Sequence, residues 1–292
     1  MKKTEQLRKL LEADDPLIMP GAFDALSGIL IQRAGFKAIQ ATGFGIAASY
    51  LGKPDVGLLT FSEMLDQTRR IVQAVDIPVM ADGDTGFGDV VNVIRTIREF
   101  EAVGAAGINL EDQVFPKRCG HMEGKRIVPM EEMIGKIRAA AETRNDPDFI
   151  INARTDAIAV AGIDEAIRRG NAYAEAGADL IFVEAPQSLE QIRRIASEVK
   201  AYVSVNLFDG VKGGKTPIIP IQELKKIGIT RVSIPVGVVF AAVKGMEVYL
   251  RALSDHGTIP DRTDLVVSFD YWKELIGLEA IRKDEEKYYK PE

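Results

Sequence analysis

The sequence predicts one (β/α)8 barrel. Three observations lead there. From Leu17 to the mid-250s, short apolar runs alternate with helix-patterned segments, and no linker interrupts them. The runs are apolar throughout rather than alternating, as when helices cover both faces of a parallel sheet. Glycine closes helix after helix in a weak internal repeat: Ala34-Gly35-Phe36, Val103-Gly104-Ala105, Ala176-Gly177-Ala178 and Ile227-Gly228-Ile229. Glycine there is the usual left-handed helix stop. Two doubly wound domains are the alternative, and the unbroken count of eight units favours the barrel.

Taken in order, residues 1–15 predict a short amphipathic helix with Leu7, Leu10 and Leu11 on one side. Strands are predicted at 17–21, 38–42, 78–82, 107–111, 149–154, 179–184, 202–206 and 231–234. Helices are predicted at 24–34, 61–75, 90–103, 130–143, 164–176, 188–199, 221–227 and 238–256. Gly43-Phe44-Gly45 breaks the second strand, and a stretch of small residues runs on to Thr60. The barrel is expected over residues 1–258, with 259–292 as a helical extension. Tyr271, Trp272, Leu275, Ile276, Leu278 and Ile281 make an apolar stripe on a helix there. That stripe can cover its own barrel or a neighbouring subunit.

With 292 residues, 46% of them hydrophobic, the chain can bury a barrel-sized core. A net charge of −6 points to neither nucleic acid nor an anionic membrane. A single cysteine excludes an internal disulfide framework and fits a reducing cytoplasm. Met1 to Asp15 is charged and unlike a signal peptide, and no apolar run suffices to span a bilayer. A cytoplasmic protein is expected.

Barrels of this type build their working face at the carboxyl ends of the strands. Those ends carry Thr42 with Gly43, Asp82 with Asp84, Glu111 with Asp112, Arg154 with Asp156, Glu184, Asn206, and Ser233 with Pro235. The amino ends carry small or variable residues such as Ala38, Gly107 and Asp179. A polar ring at one end only is what a site produces. Asp82-Gly83-Asp84-Thr85-Gly86 sets two carboxylates one residue apart among glycines, which suits Mg²⁺ with its retained waters. Glu111 and Glu184 would accept from metal-bound water. Arg154 offsets the acids, and its planar fork suits a substrate carboxylate.

Pro116-Lys117-Arg118-Cys119-Gly120-His121 holds the only cysteine and one of two histidines. Cationic neighbours favour thiolate, so the grouping suits a reactive thiol or a proton carrier. Gly43-Phe44-Gly45 lacks the last glycine of a dinucleotide fingerprint, and the glycine spacing of 210–216 is wrong for a P-loop. His256, near a helix carboxyl end, reads as structural.

With these motifs together, the chain resembles the isocitrate lyase/phosphoenolpyruvate mutase superfamily. The motifs run from about Pro20 to Asp255, and Lys117-Arg118-Cys119-Gly120-His121 resembles the signature of its lyase branch. The resemblance implies a barrel whose last helices exchange between subunits to give a homotetramer, a dimer of dimers. It implies Mg²⁺, with Mn²⁺ as a substitute, held by Asp84 directly and by Asp82, Asp55 and Glu111 largely through water. It makes the Cys119 segment a mobile lid and Cys119 the acid that protonates the departing carbanion. His121, Lys117, Arg154, Glu184 and Asn206 would orient substrate carboxylates and that proton. Thr42 and Gly43 would hold the carboxylate of the pyruvate half, with Phe44, Asp82, Gly120 and Pro235 also touching substrate.

The implied substrate is a small 2-hydroxy, 2-methyl di- or tricarboxylate, cleaved to pyruvate and a second carboxylate. A phosphonomutase or an oxaloacetate-acting relative is the alternative. Gln40 stands where methylisocitrate lyases carry tyrosine, and Phe44 where they carry glycine. Both departures resemble the dimethylmalate lyase group. Pro235 speaks against oxaloacetate hydrolases, which carry serine there.

Overall fold

Side chains just ahead of the helices stop the chain from running on as coil. Asp24, Thr60 and Asp89 each accept the backbone N–H three residues on, and Ser27, Glu63 and Asn92 return the bond to the cap backbone. Ser188 caps its helix through the Gln191 N–H. The computed structural model describes residues 1–260 and 262–289.

The strands are β1 (Leu17–Ala22), β2 (Ile39–Ala41), β3 (Val79–Asp82), β4 (Gly107–Glu111), β5 (Ile150–Thr155), β6 (Leu180–Val183), β7 (Tyr202–Asn206) and β8 (Arg231–Ile234). All are parallel, and they close in sequence order, with Leu17 of β1 paired to Arg231 of β8. The helices are α1 (Lys3–Leu11), α2 (Ala25–Arg33), α3 (Gly43–Ile46), α4 (Phe61–Ala74), α5 (Val90–Ala102), α6 (Met130–Thr143), α7 (Ile158–Ala161), α8 (Ile163–Glu175), α9 (Leu189–Glu198), α10 (Ile221–Lys226), α11 (Gly237–His256), α12 (Phe269–Leu275) and α13 (Leu278–Tyr288). The expected barrel and strand order are therefore observed.

The main core lies between strands and helices and includes Ile71, Phe100, Ile137, Tyr173, Ile192 and Leu224. A separate cluster seals the amino end, where Leu7 and Leu11 of α1 pack with Met19, Met80, Ile150 and Leu180. Burial of such side chains is worth roughly 1.5–3 kcal/mol each, so α1 acts as a plug rather than a loose arm.

Three local expectations change. Gly43-Phe44-Gly45 does not open a loop but the helical turn α3, which runs into a π-helical turn at Ala47–Leu51. α7 precedes α8 where a single helix was expected. The tail stripe is split, because Gly277 adopts φ 70° and separates α12 from α13.

The chain divides into two compact units, Met1–Val239 and Phe240–Glu292. Among the described residues, no helix is long and apolar enough to cross a membrane.

Candidate active site

The acids cluster because consecutive strands end side by side. Asp82 closes β3, and its two oxygens accept the N–H groups of Asp84, at 3.1 Å, and Gly43, at 3.0 Å. A Cβ on Gly43 would stand 2.6 Å from that carboxylate, so only glycine allows the approach. Asp84 itself takes φ 44°, a left-handed conformation uncommon outside glycine and of the kind that gathers at functional sites.

Lys117 reaches in from the lid, 2.6 Å from Asp55 and 2.9 Å from Asp84. The pairing leaves Asp84 Oδ1 buried without an aligned hydrogen bond. Burial pushes Asp84 up to about 6, against the pull of Lys117 and with the push of Asp82 and Asp55. Burial also raises Glu111 well above the ordinary range, more than Arg154 can lower it. Burial works against the Lys117 charge, but Asp84, Asp55 and Glu111 outweigh it and hold its pKa high.

This donor set fits a hard divalent cation. The oxygens are carboxylates, one is buried and poorly satisfied, and an ammonium supplies positive charge between them. Among the described residues, no three His, Cys, Asp or Glu close into a ligand cage. Mg²⁺ takes one or two protein carboxylates and keeps its waters, so it needs no such cage.

Across the cavity, Arg154 holds the second acid group. Its Nε and Nη2 meet Asp156 at 2.9 and 3.1 Å, Nη1 meets Glu111 at 3.1 Å, and Nη2 meets Glu184 at 3.2 Å. In this closed arrangement Asp156 takes the fork that the sequence reserves for substrate. Burial would raise Glu184, yet Arg154 and His121 outweigh it and hold it at about 2. His121 lies 3.3 Å from Glu184, and its ring stacks on Phe208 with centroids 3.8 Å apart. The His121 Nδ1 accepts the Lys215 N–H at 2.9 Å, which leaves Nε2 facing Glu184.

The lid is fastened at several points. Gln113 donates to Glu111 at 3.0 Å and to the Arg118 carbonyl at 2.7 Å, and accepts the Arg118 N–H at 3.0 Å. The Cys119 N–H donates to the Asp55 carbonyl at 3.1 Å. Lys125 pairs with Asp156 at 2.7 Å and donates to the Gly120 carbonyl. A Cβ on Gly120 would overlap Glu184 and Arg154, so this closure also needs glycine.

The expectation that cationic neighbours favour a Cys119 thiolate is overturned. Lys117 turns to Asp55 and Asp84, and the Arg118 side chain turns to the Glu123 carbonyl at 3.0 Å. Burial then pushes the Cys119 thiol up to about 11, with Asp55 and Glu184 adding to the rise. The group is a protonated thiol at neutral pH.

Thr42, Phe44, Asp55, Asp82, Cys119, Gly120, His121, Arg154, Glu184, Asn206 and Pro235 all line one cavity of about 50 Å³. That is room for a few waters. Gly43, Lys117, Asp84 and Glu111 do not line it; they lie behind the wall, tied to Asp82, Asp55 and Arg154. Asp112 turns away and accepts from Thr155, Tyr173 and Arg169 at 2.7, 2.8 and 3.0 Å.

Lys125, Gln113, Asn109 and Phe208 escape sequence reasoning. Asn109 was within reach, because it precedes Glu111 by two on β4 and so shares its face. Lys125 carried no signal beyond being one more basic residue in a basic loop.

An acid-rimmed (β/α)8 barrel with a thiol lid defines an enzyme working on small anions. The chain belongs to the phosphoenolpyruvate phosphomutase family, whose model matches residues 7–254, and so to the phosphoenolpyruvate mutase/isocitrate lyase superfamily. It is 47% identical over 288 residues to the 2,3-dimethylmalate lyase of Eubacterium barkeri, covering 99% of each chain. It is 42% identical over 277 residues to the 2-methylisocitrate lyase of Aeropyrum pernix, covering 95% of this chain and 88% of that one. A solved phosphonopyruvate hydrolase in complex with oxalate and Mg²⁺ superposes with TM-score 0.90 at 32% identity, covering 99% of this chain and 100% of that one.

Proposed function

We propose that the chain is a carbon–carbon lyase cleaving a 2-hydroxy, 2-methyl di- or tricarboxylate, such as 2,3-dimethylmalate or 2-methylisocitrate. The products are pyruvate and propionate or succinate. The observation that carries this reading is Cys119: a half-buried thiol, raised to about 11, on a segment that lines an acid-rich cavity. A lyase must deliver one proton to carbon after the bond breaks, and a thiol held neutral is suited to that.

Asp84, with Asp82, Asp55 and Glu111, would hold Mg²⁺ or Mn²⁺, which would lower the pKa of the substrate hydroxyl and neutralise its carboxylate. The chain's own groups do the rest. Thr42 offers its hydroxyl to the carboxylate of the pyruvate half; the Gly43 N–H is spent on Asp82. Arg154, His121 and Asn206 hold the other carboxylate once the lid has closed on substrate, Glu184 orients His121 and Arg154, and Lys117 stays with Asp55 and Asp84. The C2–C3 pair leaves with the second carboxylate as an enolate, and the Cys119 S–H protonates its carbon. The hydroxyl proton, released as the ketone forms, restores the thiol. The closed lid keeps water from competing for the carbanion.

A lactate-dehydrogenase-coupled pyruvate assay tests this across methylisocitrate, dimethylmalate, citramalate and oxaloacetate, with Mg²⁺ and with EDTA. Metal-dependent pyruvate release from a 2-methyl-2-hydroxy acid supports it, and no release from any of them sinks it. The similarity to a phosphonopyruvate hydrolase favours one second reading, phosphonate chemistry, which phosphonopyruvate tests in the same assay.

The enzyme works in the cytoplasm as a homotetramer. Support for assembly comes from α11, which exposes Val243, Met246, Val248 and Leu250. Light scattering that returns a monomer would refute it.

A further inference from the structure

Below the cavity floor, the barrel interior carries polar side chains where bulky aliphatic layers are usual. Arg231, at the start of β8, is fully buried. Its Nη1 donates to Ser204 at 2.8 Å, its Nη2 to the Gln40 amide oxygen, and its Nε lies 3.1 Å from Met19 Sδ. Its partners are a hydroxyl, an amide and a thioether; none is a carboxylate. A buried cation without an acid partner is costly, so it needs a reason to be there.

The reason lies in direction. A guanidinium carries donors only, so Gln40 must turn its oxygen toward Arg231. Asn109 donates to the same oxygen at 3.3 Å and accepts from Asn152 at 2.6 Å. Without Arg231, only the long bond from Asn109 and the bond to the Ala41 carbonyl would hold that orientation. With it, Gln40 spends one N–H on the Ala41 carbonyl at 2.8 Å and keeps the second. Gln40 and Asn109 line the cavity, whereas Arg231 does not. Burial pushes the Arg231 guanidinium down to about 9 against the pull of Asp82, which is not in direct contact with it, so it stays charged at neutral pH.

We propose that Arg231 is a positioning residue acting through Gln40: it locks the amide so that the cavity floor offers N–H donors to an oxygen of the bound 2-hydroxy or 2-oxo acid. The inference rests on the lyase reading above. It makes Gln40 the group that separates acids with an oxygen at the floor from those with a methyl there.

Oxalate, titrated calorimetrically into the full chain with Mg²⁺, is the probe. Gln40→Leu keeps the volume and removes the amide, and should weaken oxalate about tenfold, the value of one hydrogen bond to a charged group. Arg231→Met should weaken it by a similar factor. The double variant should be no weaker than Gln40→Leu, because one residue acts through the other. Losses that multiply in the double variant overturn the inference, as does a Gln40→Leu chain that binds oxalate like the wild type.

If Arg231→Met does not fold, Gln40→Glu carries the test. It keeps a partner for Arg231 but turns an acceptor to the floor, so oxalate should weaken more than in Gln40→Leu; unchanged binding overturns the inference. A wild-type chain that fails to bind oxalate overturns the lyase reading and this inference with it. A wild type that binds, with unchanged variants, overturns this inference alone.

Discussion

Both ends of the barrel gather acids, half-buried at the amino end and buried at the carboxyl end, and they treat them differently. At the amino end Asp179 meets Arg8 at 3.0 Å, Arg144 and the Ile151 N–H, and Asp146 accepts from Lys2 at 3.1 Å and Thr4 at 3.0 Å. Each acid there has a cation facing it, and α1 closes over them. At the carboxyl end, Lys117 serves Asp55 and Asp84 at once, Arg154 serves Asp156, Glu111 and Glu184, and Asp84 and Glu111 are pushed up by burial. The amino end is balanced for stability. At the carboxyl end three cations, Lys117, Lys125 and Arg154, serve five acids, and it is the end that carries the Cys119 segment.

The largest break in that contrast comes from the lid. Cys119→Ser replaces a thiol with a much weaker acid of similar size. Turnover should fall by about 10²–10⁴-fold, the usual worth of a positioned proton donor. Mg²⁺-dependent oxalate binding should stay measurable by calorimetry. Near-normal pyruvate release from this variant would remove Cys119 from its assigned role.

Asp84→Ala comes next. It removes the buried, strained carboxylate at the centre of the acid group. The heat of Mg²⁺ binding should disappear, and residual turnover should be the same with metal and with EDTA. Metal-dependent activity in this variant would shift the ligand role to Asp82 or Glu111.

At the other end, Asp179→Ala should act on stability alone. It takes one partner from Arg8 and from Arg144, which keep Asp148 and the Phe149 carbonyl, and leaves the Ile151 N–H without its acceptor, so a loss of about 1–3 kcal/mol and a Tm lower by a few degrees are expected. KM should not move. A raised KM with unchanged Tm would erase the distinction between the two ends.

The sequence exposed this division only in part. Eight apolar runs and their glycine stops displayed the barrel, because a strand covered on both faces cannot alternate. Acids at the ends of such runs stood out for the same reason. Asp179 reads as an ordinary rim residue until Arg8 and Arg144, far away in sequence, are folded against it. Glu111 and Asp112 are adjacent, and only the strand pleat decides that one enters the site and the other pairs with Arg169. The direction of Lys117 was also hidden. Beside Cys119 in sequence, it turns to two aspartates in space, and this reverses the expected sign of the thiol's shift. Arg231 begins a predicted strand at the amino end, where a charge suggests solvent. The β1–β8 register draws it inside instead.

The smallest effect expected is the stability signature of the Cys119 thiol, and it sharpens the contrast within one residue. Burial raises this group from 9.0 to about 11 in the folded chain. A raised folded pKa contributes stability that is fully present below the unfolded value and is lost as pH rises through the folded one. Between pH 9 and 11 the unfolded chain ionises its thiol while the folded chain does not. At pH 10 the difference is about 1.4 kcal/mol, one pH unit of linkage. Thermal melts of the wild type and of Cys119→Ser, followed from pH 8 to 11, isolate the effect, since the amino-end pairs are common to both. The wild type should lose Tm relative to the variant above pH 9. Parallel curves across that range would mean that the thiol ionises alike in both states, and a wild type that gained Tm relative to the variant would mean that the cations beside it in sequence hold it down.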